Sequence, residues 1–248
     1  MGILSKVSRL RRIDPLDWLY PPSCHFCTCA LKSGRSVCAD CSGKLPRIEF
    51  PFCDVCGESF PGDIDASFAC PNCTGLSFHF EFARAAMDRS DEMLELVHRL
   101  KYNREIHLAR DLGVLTCEAF SDRRLKVAKD ENWILVPVPL HRSRHRERYF
   151  NQAEEISKVI GKESDLRIGN FLKRIRKTQT QTRLSRNQRM ENLKGAFAIK
   201  GGEKLLKDAA GVILVDDVFT TGSTVDACAK VLRSAGVPRV VVLTVMRG

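Results

Sequence analysis

The sequence predicts an α/β protein: a doubly wound, mostly parallel sheet preceded by a small cysteine-rich module. Three observations carry that expectation. Nine of the eleven cysteines crowd between Cys24 and Cys73. Beyond them, short apolar runs alternate with amphipathic segments of helical length, a pattern that needs crossover connections and so parallel strands covered on both faces. The 248 residues, 44% hydrophobic and 28% charged, suffice for one ordinary domain plus a small module.

The chain opens with "MGILSKVSRLRRIDPLDWLYPP". Leu4, Val7 and Leu10 have helical spacing, which predicts an N-terminal helix over 1–20 that docks on the protein or lies on a membrane surface. This segment has neither a continuous apolar core nor a small-residue cleavage site, so it is a poor secretory signal. The best apolar runs, 133–140 and 240–246, fall far short of the roughly 18 residues of a membrane span. The expectation is a cytoplasmic protein without a membrane span. A net charge of +10 attracts phosphate-rich partners, without choosing between nucleotide, nucleic acid and acidic membrane.

Residues 21–78 form the expected metal module. Eight cysteines make four C-x-x-C pairs: Cys24/Cys27, Cys38/Cys41, Cys53/Cys56 and Cys70/Cys73. A C-x-x-C turn presents two thiolates to one tetrahedral ion, so four turns supply two closed, structural Zn²⁺ sites. Nothing suggests export, and a reducing compartment disfavours the alternative of disulfides. Sequential pairing puts Cys24, Cys27, Cys38 and Cys41 in one site and Cys53, Cys56, Cys70 and Cys73 in the other; a crossed arrangement is the alternative. Cys29 and His25 break the rhythm and are read as non-ligands, and Cys117 and Cys228 as packing residues.

Residues 79–248 form the expected large domain. "HFEFARAAMDRS" reads as a strand or hairpin, and "DEMLELVHRLKYNREIHLARDLGVLTCEAF" as one or two amphipathic helices with Leu94, Val97 and Leu100 on one face. "WILVPVPL" is a buried strand. "FNQAEEISKVIG" is a helix closed by Gly161, "GVILVDD" a second buried strand, "STVDACAKVLRSAG" a helix with Gly236 past its end, and "RVVVLTVM" a last strand. Between them, "HRSRHRER" reads as a basic loop bearing Arg142, Arg144, Arg146 and Arg148. Residues 166–190 carry eight Lys or Arg and no acid.

In such sheets ligands bind beyond the carboxyl ends of the strands, where Asp216 and Asp217 fall. The following "TTGST" joins strand to helix, and the free N–H groups and positive dipole end of a helix N-terminus favour phosphate. Gly222 permits close backbone approach, and Thr220, Thr221, Ser223 and Thr224 offer hydroxyl donors. The two acids suit sugar hydroxyls rather than phosphate, so together the elements suit a ribose 5-phosphate.

"VILVDDVFTTGST" resembles the phosphoribosyl pyrophosphate (PRPP) signature of type I phosphoribosyltransferases. With the cysteine pairs, "LVPVPLHRSRHRERYFNQAEEIS" and "RIRKTQTQTRLSRNQRMENLKGAF", the chain resembles the ComF family along nearly its whole length. The resemblance implies a phosphoribosyltransferase-type sheet behind a double zinc ribbon, with PRPP and Mg²⁺ bound at Asp216, Asp217, Thr220, Thr221, Gly222, Ser223 and Thr224, the acids serving catalysis. It implies a pyrophosphate loop at the end of "WILVPVPL", where the arginines of "HRSRHRER" suit pyrophosphate or DNA phosphate. It also implies a loop in "RKTQTQTRLSRNQR" that closes over substrate, and a role in natural transformation or the use of external DNA with other DNA-uptake proteins. The alternative is a non-catalytic adaptor for single-stranded DNA on the same fold. Where relatives usually have Arg-Gly-Phe-Asn-Gln, this chain has Tyr149 in place of glycine.

Overall fold

The computed structural model describes residues 22–31, 34–64, 66–128, 130–178, 186–201 and 203–248. The helix expected over 1–20 and residues 179–185 of the closing loop lie outside them. The chain divides into two units, one ending at Lys44 and the other spanning Leu45–Gly248.

In the first unit the Cys24 turn is closed by Thr28 N–H donating to Cys24 O, and Cys24 N–H returns to Cys29 O. A single turn of helix, α1 (Ala39–Gly43), is capped by the Cys38 sulfur, which accepts from Cys41 N–H at 3.3 Å.

The second unit begins with another pair of cysteine turns, and these are fused to the sheet. Ala83 N–H donates to Val55 O at 2.8 Å. Gly57 has φ 68°, and a Cβ there would stand 2.9 Å from Ala83 O, so only glycine allows the turn so close to the strand. All four cysteine side chains of this segment are buried in a cluster with Phe80, Val136 and Leu214.

The region expected as a strand or hairpin is one strand, β1 (Ala83–Met87), buried throughout. Two helices follow. The first, α2 (Asp91–Tyr102), starts at Ser90, whose side chain caps Met93 N–H, and buries Met93, Leu96, Val97 and Leu100; the second is α3 (Leu108–Cys117). A short α4 (Arg123–Lys126) leads to β2 (Ile134–Pro137).

The segment "HRSRHRER" is a helix, α5 (Arg142–Arg148), and not a loop, with His141 capping Ser143 N–H. It ends where Tyr149 takes φ 69°, ψ −18°, the left-handed conformation that glycine adopts without strain. The next helix, α6 (Gln152–Ser164), runs past Gly161 and ends with Asp165 left-handed. Gly161 serves close packing instead, because a Cβ there would stand 2.9 Å from both Leu166 O and Ile168 Cδ1.

Residues 166–200 contain elements without a clear period: β3 (Arg167–Ile168), β4 (Leu172–Arg174), α7 (Arg186–Leu193) and β5 (Phe197–Ile199). After α8 (Glu203–Lys207) come β6 (Val212–Phe219), α9 (Ser223–Ser234) and β7 (Val240–Arg247). The five-stranded sheet has the order β1-β7-β6-β2-β3, every pair parallel, and β4 and β5 form a separate antiparallel pair. Helices α3 and α6 pack together and on the sheet, whereas α9 packs on β6 and β7 beside α7 and β5. Burial of β7 from Val240 through Met246 is the mark of a sheet covered on both faces.

Candidate functional site

The two acids do not lie beyond the strand. They lie inside β6, past the point where its neighbour stops. The β2–β6 register ends at Pro137↔Val215, whereas β7 stays paired with β6 as far as Phe219↔Arg247. One flank of residues 216–219 is therefore open at the carboxyl end of the sheet. Because side chains alternate along a strand, the two carboxylates leave on opposite faces.

Asp217 is buried and receives Lys101 Nζ of α2 at 2.8 Å. Asp216 is half-buried, and its Oδ1 accepts from Asp217 N–H at 2.9 Å. Loss of water and the adjacent Asp217 charge push the Asp216 carboxyl up from 3.8 to about 7, against the opposing pull of Lys101 and Arg174. Two like charges side by side thus resolve into one ion pair and one acid that holds its proton to neutral pH.

The loop after β6 has the features of an anion cradle. Gly222 is the N-cap of α9 at φ 76° and ψ −3°, and no side chain caps the helix. Its first N–H groups, at the positive end of the helix dipole, are therefore not taken up by an N-cap side chain. A Cβ on Gly222 would stand 2.8 Å from Phe219 Cζ. Thr221 and Ser223 share a hydroxyl hydrogen bond of 2.9 Å, and Thr220 is exposed. In the first turn, Asp226 is engaged by His79, whose backbone N–H donates to it at 2.6 Å and whose Nδ1 lies 3.2 Å away.

The four arginines of α5 divide. Arg142 and Arg146 are exposed and Arg144 is half-buried. Arg148 turns inward, donating to Gln152 Oε1 at 3.0 Å and lying over the Tyr102 ring at 5.0 Å. Asn151 caps α6 and donates to Val138 O at 3.0 Å, which ties the start of the helix to the end of β2. A cavity of about 720 Å³ opens here, lined among others by His141, Arg142, Lys173, Arg174 and Lys200. Its cations come from three separate stretches of chain, so sequence reading noted the basic run holding Lys173 and Arg174 but named only Arg142 as a site residue. Lys101 was missed for a similar reason: its helical pattern explained only the apolar face of α2.

Both cysteine groups fit zinc. The sulfurs of Cys53, Cys56, Cys70 and Cys73 lie within 4.8 Å of one another, all buried. In the first unit the same criterion gathers Cys24, Cys27, Cys38 and also Cys29, which the sequence pattern had left outside. The backbone bond from Cys24 N–H to Cys29 O, with Thr28 at φ 60°, curls Cys29 back to the cluster. Cys41, expected as a ligand, falls outside that group, although its thiol neighbours those of Cys38, Cys27 and Cys24. Burial raises Cys24, but N–H donors from Cys27, Cys38 and Phe26 outweigh it and bring this thiol down to about 6, toward the thiolate a metal needs. Cys29 and Cys41 thus compete for the fourth position of a closed tetrahedral site.

The fold and the site define a class: a doubly wound parallel α/β domain with two acids and a glycine loop at the carboxyl end of one strand, together with cysteine sites of zinc-ribbon type. A double zinc ribbon domain matches residues 15–74. Competence protein F of Haemophilus influenzae is 30% identical over 81% of this chain and 86% of its own length. The DNA utilization protein YhgH of Escherichia coli K12 is 30% identical over 92% of this chain and 97% of its own, and Competence protein ComFC of Bacillus subtilis is 28% identical over 83% and 81%. The chain belongs to the ComF family. Among solved structures, a hypoxanthine phosphoribosyltransferase from Staphylococcus aureus overlaps 56% of this chain and 64% of its own, at 15% identity and a TM-score of 0.37. Among the described residues, no helix is long and apolar enough to cross a membrane.

Proposed function

We propose that this chain binds PRPP at the carboxyl end of β6. The observation that carries the reading is the pairing of Asp216 and Asp217, at the open flank of the sheet, with a phosphate-type loop at an uncapped helix N-terminus. The acids would accept the ribose hydroxyls. Thr220, Thr221, Gly222, Ser223 and Thr224 would hold the 5-phosphate. The cationic cavity at Arg142, Lys173, Arg174 and Lys200 suits the pyrophosphate, with Mg²⁺ accompanying it. Transfer would break the bond between the anomeric carbon and pyrophosphate as an acceptor nitrogen bonds to that carbon, with electrostatic stabilisation of the developing charge. Titration calorimetry with PRPP and Mg²⁺ tests binding, and pyrophosphate release across a panel of bases and amines tests transfer. No heat of binding would end the reading.

A second reading has its own support in the exposed Arg142 and Arg146, the half-buried Arg144 and the charge of +10: the chain handles single-stranded DNA, as an adaptor among DNA-uptake proteins in the cytoplasm. The names of the relatives, which speak of competence and DNA utilization, favour the same setting. In this division of labour, residues 21–78 are the zinc module and 79–248 the nucleotide domain. Replacing Arg142, Arg144 and Arg146 with Gln should weaken single-strand binding and reduce its salt slope by about 0.7 for each phosphate no longer neutralised. An unchanged slope removes α5 from the DNA surface.

A further inference from the structure

Arg247 ends β7 opposite Phe219, and its guanidinium joins two sites. Nη1 donates to the carbonyl oxygens of Phe219 at 3.0 Å, Thr220 at 2.9 Å and Gly248 at 2.6 Å. Nη2 reaches Glu58 Oε2 at 3.4 Å. That same carboxylate oxygen lies 3.5 Å from the Cys70 sulfur and 3.8 Å from that of Cys56. Between the two ends lies a cavity of about 270 Å³ lined by Cys56, Cys73, Phe219, Thr221 and Arg247 among others. A continuous run of polar contacts thus leads from the buried cysteine cluster to the start of the phosphate loop, within one folded unit.

The direction of a carbonyl fixes the plane of its peptide and the aim of the next N–H. By holding the oxygens of Phe219 and Thr220, Arg247 sets how the N–H groups of Thr220 and Thr221 are presented. At the other end, four thiolates around one divalent ion carry a net charge of about −2, whereas protonated thiols carry none. Metal loading therefore removes the Cys56 and Cys70 S–H donors from Glu58 and sets like charge against its carboxylate, which drives Glu58 toward the Arg247 guanidinium and tightens that pair.

We propose that Glu58 and Arg247 couple the second cysteine cluster to the phosphate loop, so that metal at Cys53, Cys56, Cys70 and Cys73 sets how tightly the loop holds the phosphate of PRPP. The inference rests on the PRPP reading above. Arg247 is a positioning residue, acting on the phosphate through the loop. Linkage makes the effect reciprocal: bound PRPP must raise the affinity of that cluster for metal by the same factor.

The test uses the full, zinc-loaded chain as wild type, Arg247→Lys and Glu58→Gln. PRPP affinity is read by calorimetry, and zinc affinity by equilibrium competition with a colorimetric chelator, with and without saturating PRPP. In the wild type, PRPP should tighten one of the two zinc ions by about five-fold or more. Arg247→Lys keeps the charge but not the fork; it should bind PRPP about ten-fold more weakly at unchanged zinc content and lose the tightening. Glu58→Gln touches no loop carbonyl, so it should lose the tightening with a smaller change in PRPP affinity, and it decides the matter should Arg247→Lys fail to fold. A purely structural Arg247 would lower the melting temperature yet leave the tightening by PRPP intact, which overturns the coupling. PRPP binding in the wild type without tighter zinc binding overturns the coupling alone. Absence of PRPP binding overturns the reading beneath it, and the coupling with it.

Discussion

Replacing Asp216 with Asn should stabilise the protein at neutral and alkaline pH while weakening PRPP binding. The cause lies in the raised carboxyl, at about 7 against an ordinary 3.8. A folded state that keeps its proton to higher pH than the unfolded chain binds more protons between those values, so stability falls as pH rises from about 4 and the loss is complete above about 7. A displacement of roughly three pH units at about 1.4 kcal/mol each sets an upper bound of ~4 kcal/mol on the cost of ionising Asp216. Asn has no proton to lose and keeps the oxygen that accepts from Asp217 N–H. Melting temperatures of wild type and Asp216→Asn should converge near pH 4 and diverge up to about pH 8. PRPP binding should show the opposite sign. Losing a charge-assisted hydrogen bond of about 1.5 to 3 kcal/mol weakens it about ten- to one-hundred-fold, and wild-type affinity should rise as pH passes through 7 and the acid ionises. Parallel melting profiles would refute the electrostatic argument. Unchanged PRPP affinity with a lowered melting temperature would refute the ribose assignment and leave the acids a structural role.

Cys53→Ser should cost one zinc ion and loosen the sheet edge, because the second cluster shares a core with Phe80, Val136 and Leu214; hydrogen exchange at Ala83, whose N–H donates to Val55 O, should speed up. Retained protection there would mean that this ribbon can unfold by itself. For the first cluster, Cys29→Ser and Cys41→Ser should each keep two zinc ions per chain and the double variant only one, because five thiols serve four positions. Elemental analysis giving one zinc in a single variant would name the obligatory ligand.

Much of this protein was legible in one dimension because its signals are local. Each C-x-x-C turn closes within a few residues, which is why two metal-type cysteine groups could be read from spacing. The runs "GVILVDD" and "RVVVLTVM" are buried on both faces, so they read as continuous apolar strands and became β6 and β7. The turn at Gly222 was legible because its φ of 76° imposes a residue type. Even Tyr149, which departs from the family pattern, was marked as the place where backbone conformation mattered, and it adopts the left-handed state glycine would have taken. Sequence spacing could not say that β2 stops at Pro137 while β6 continues, or that the two acids leave on opposite faces and meet different neighbours, Lys101 on one side and Arg174 on the other. Nor could it join Glu58 to Arg247 or fold Cys29 into its cluster. Those contacts bring together residues whose local periods are satisfied without them. Local backbone chemistry wrote the strands, turns and thiol pairs into the sequence; the field at Asp216 and the link between cluster and loop arise only when packing places charges from distant stretches of chain within a few ångströms.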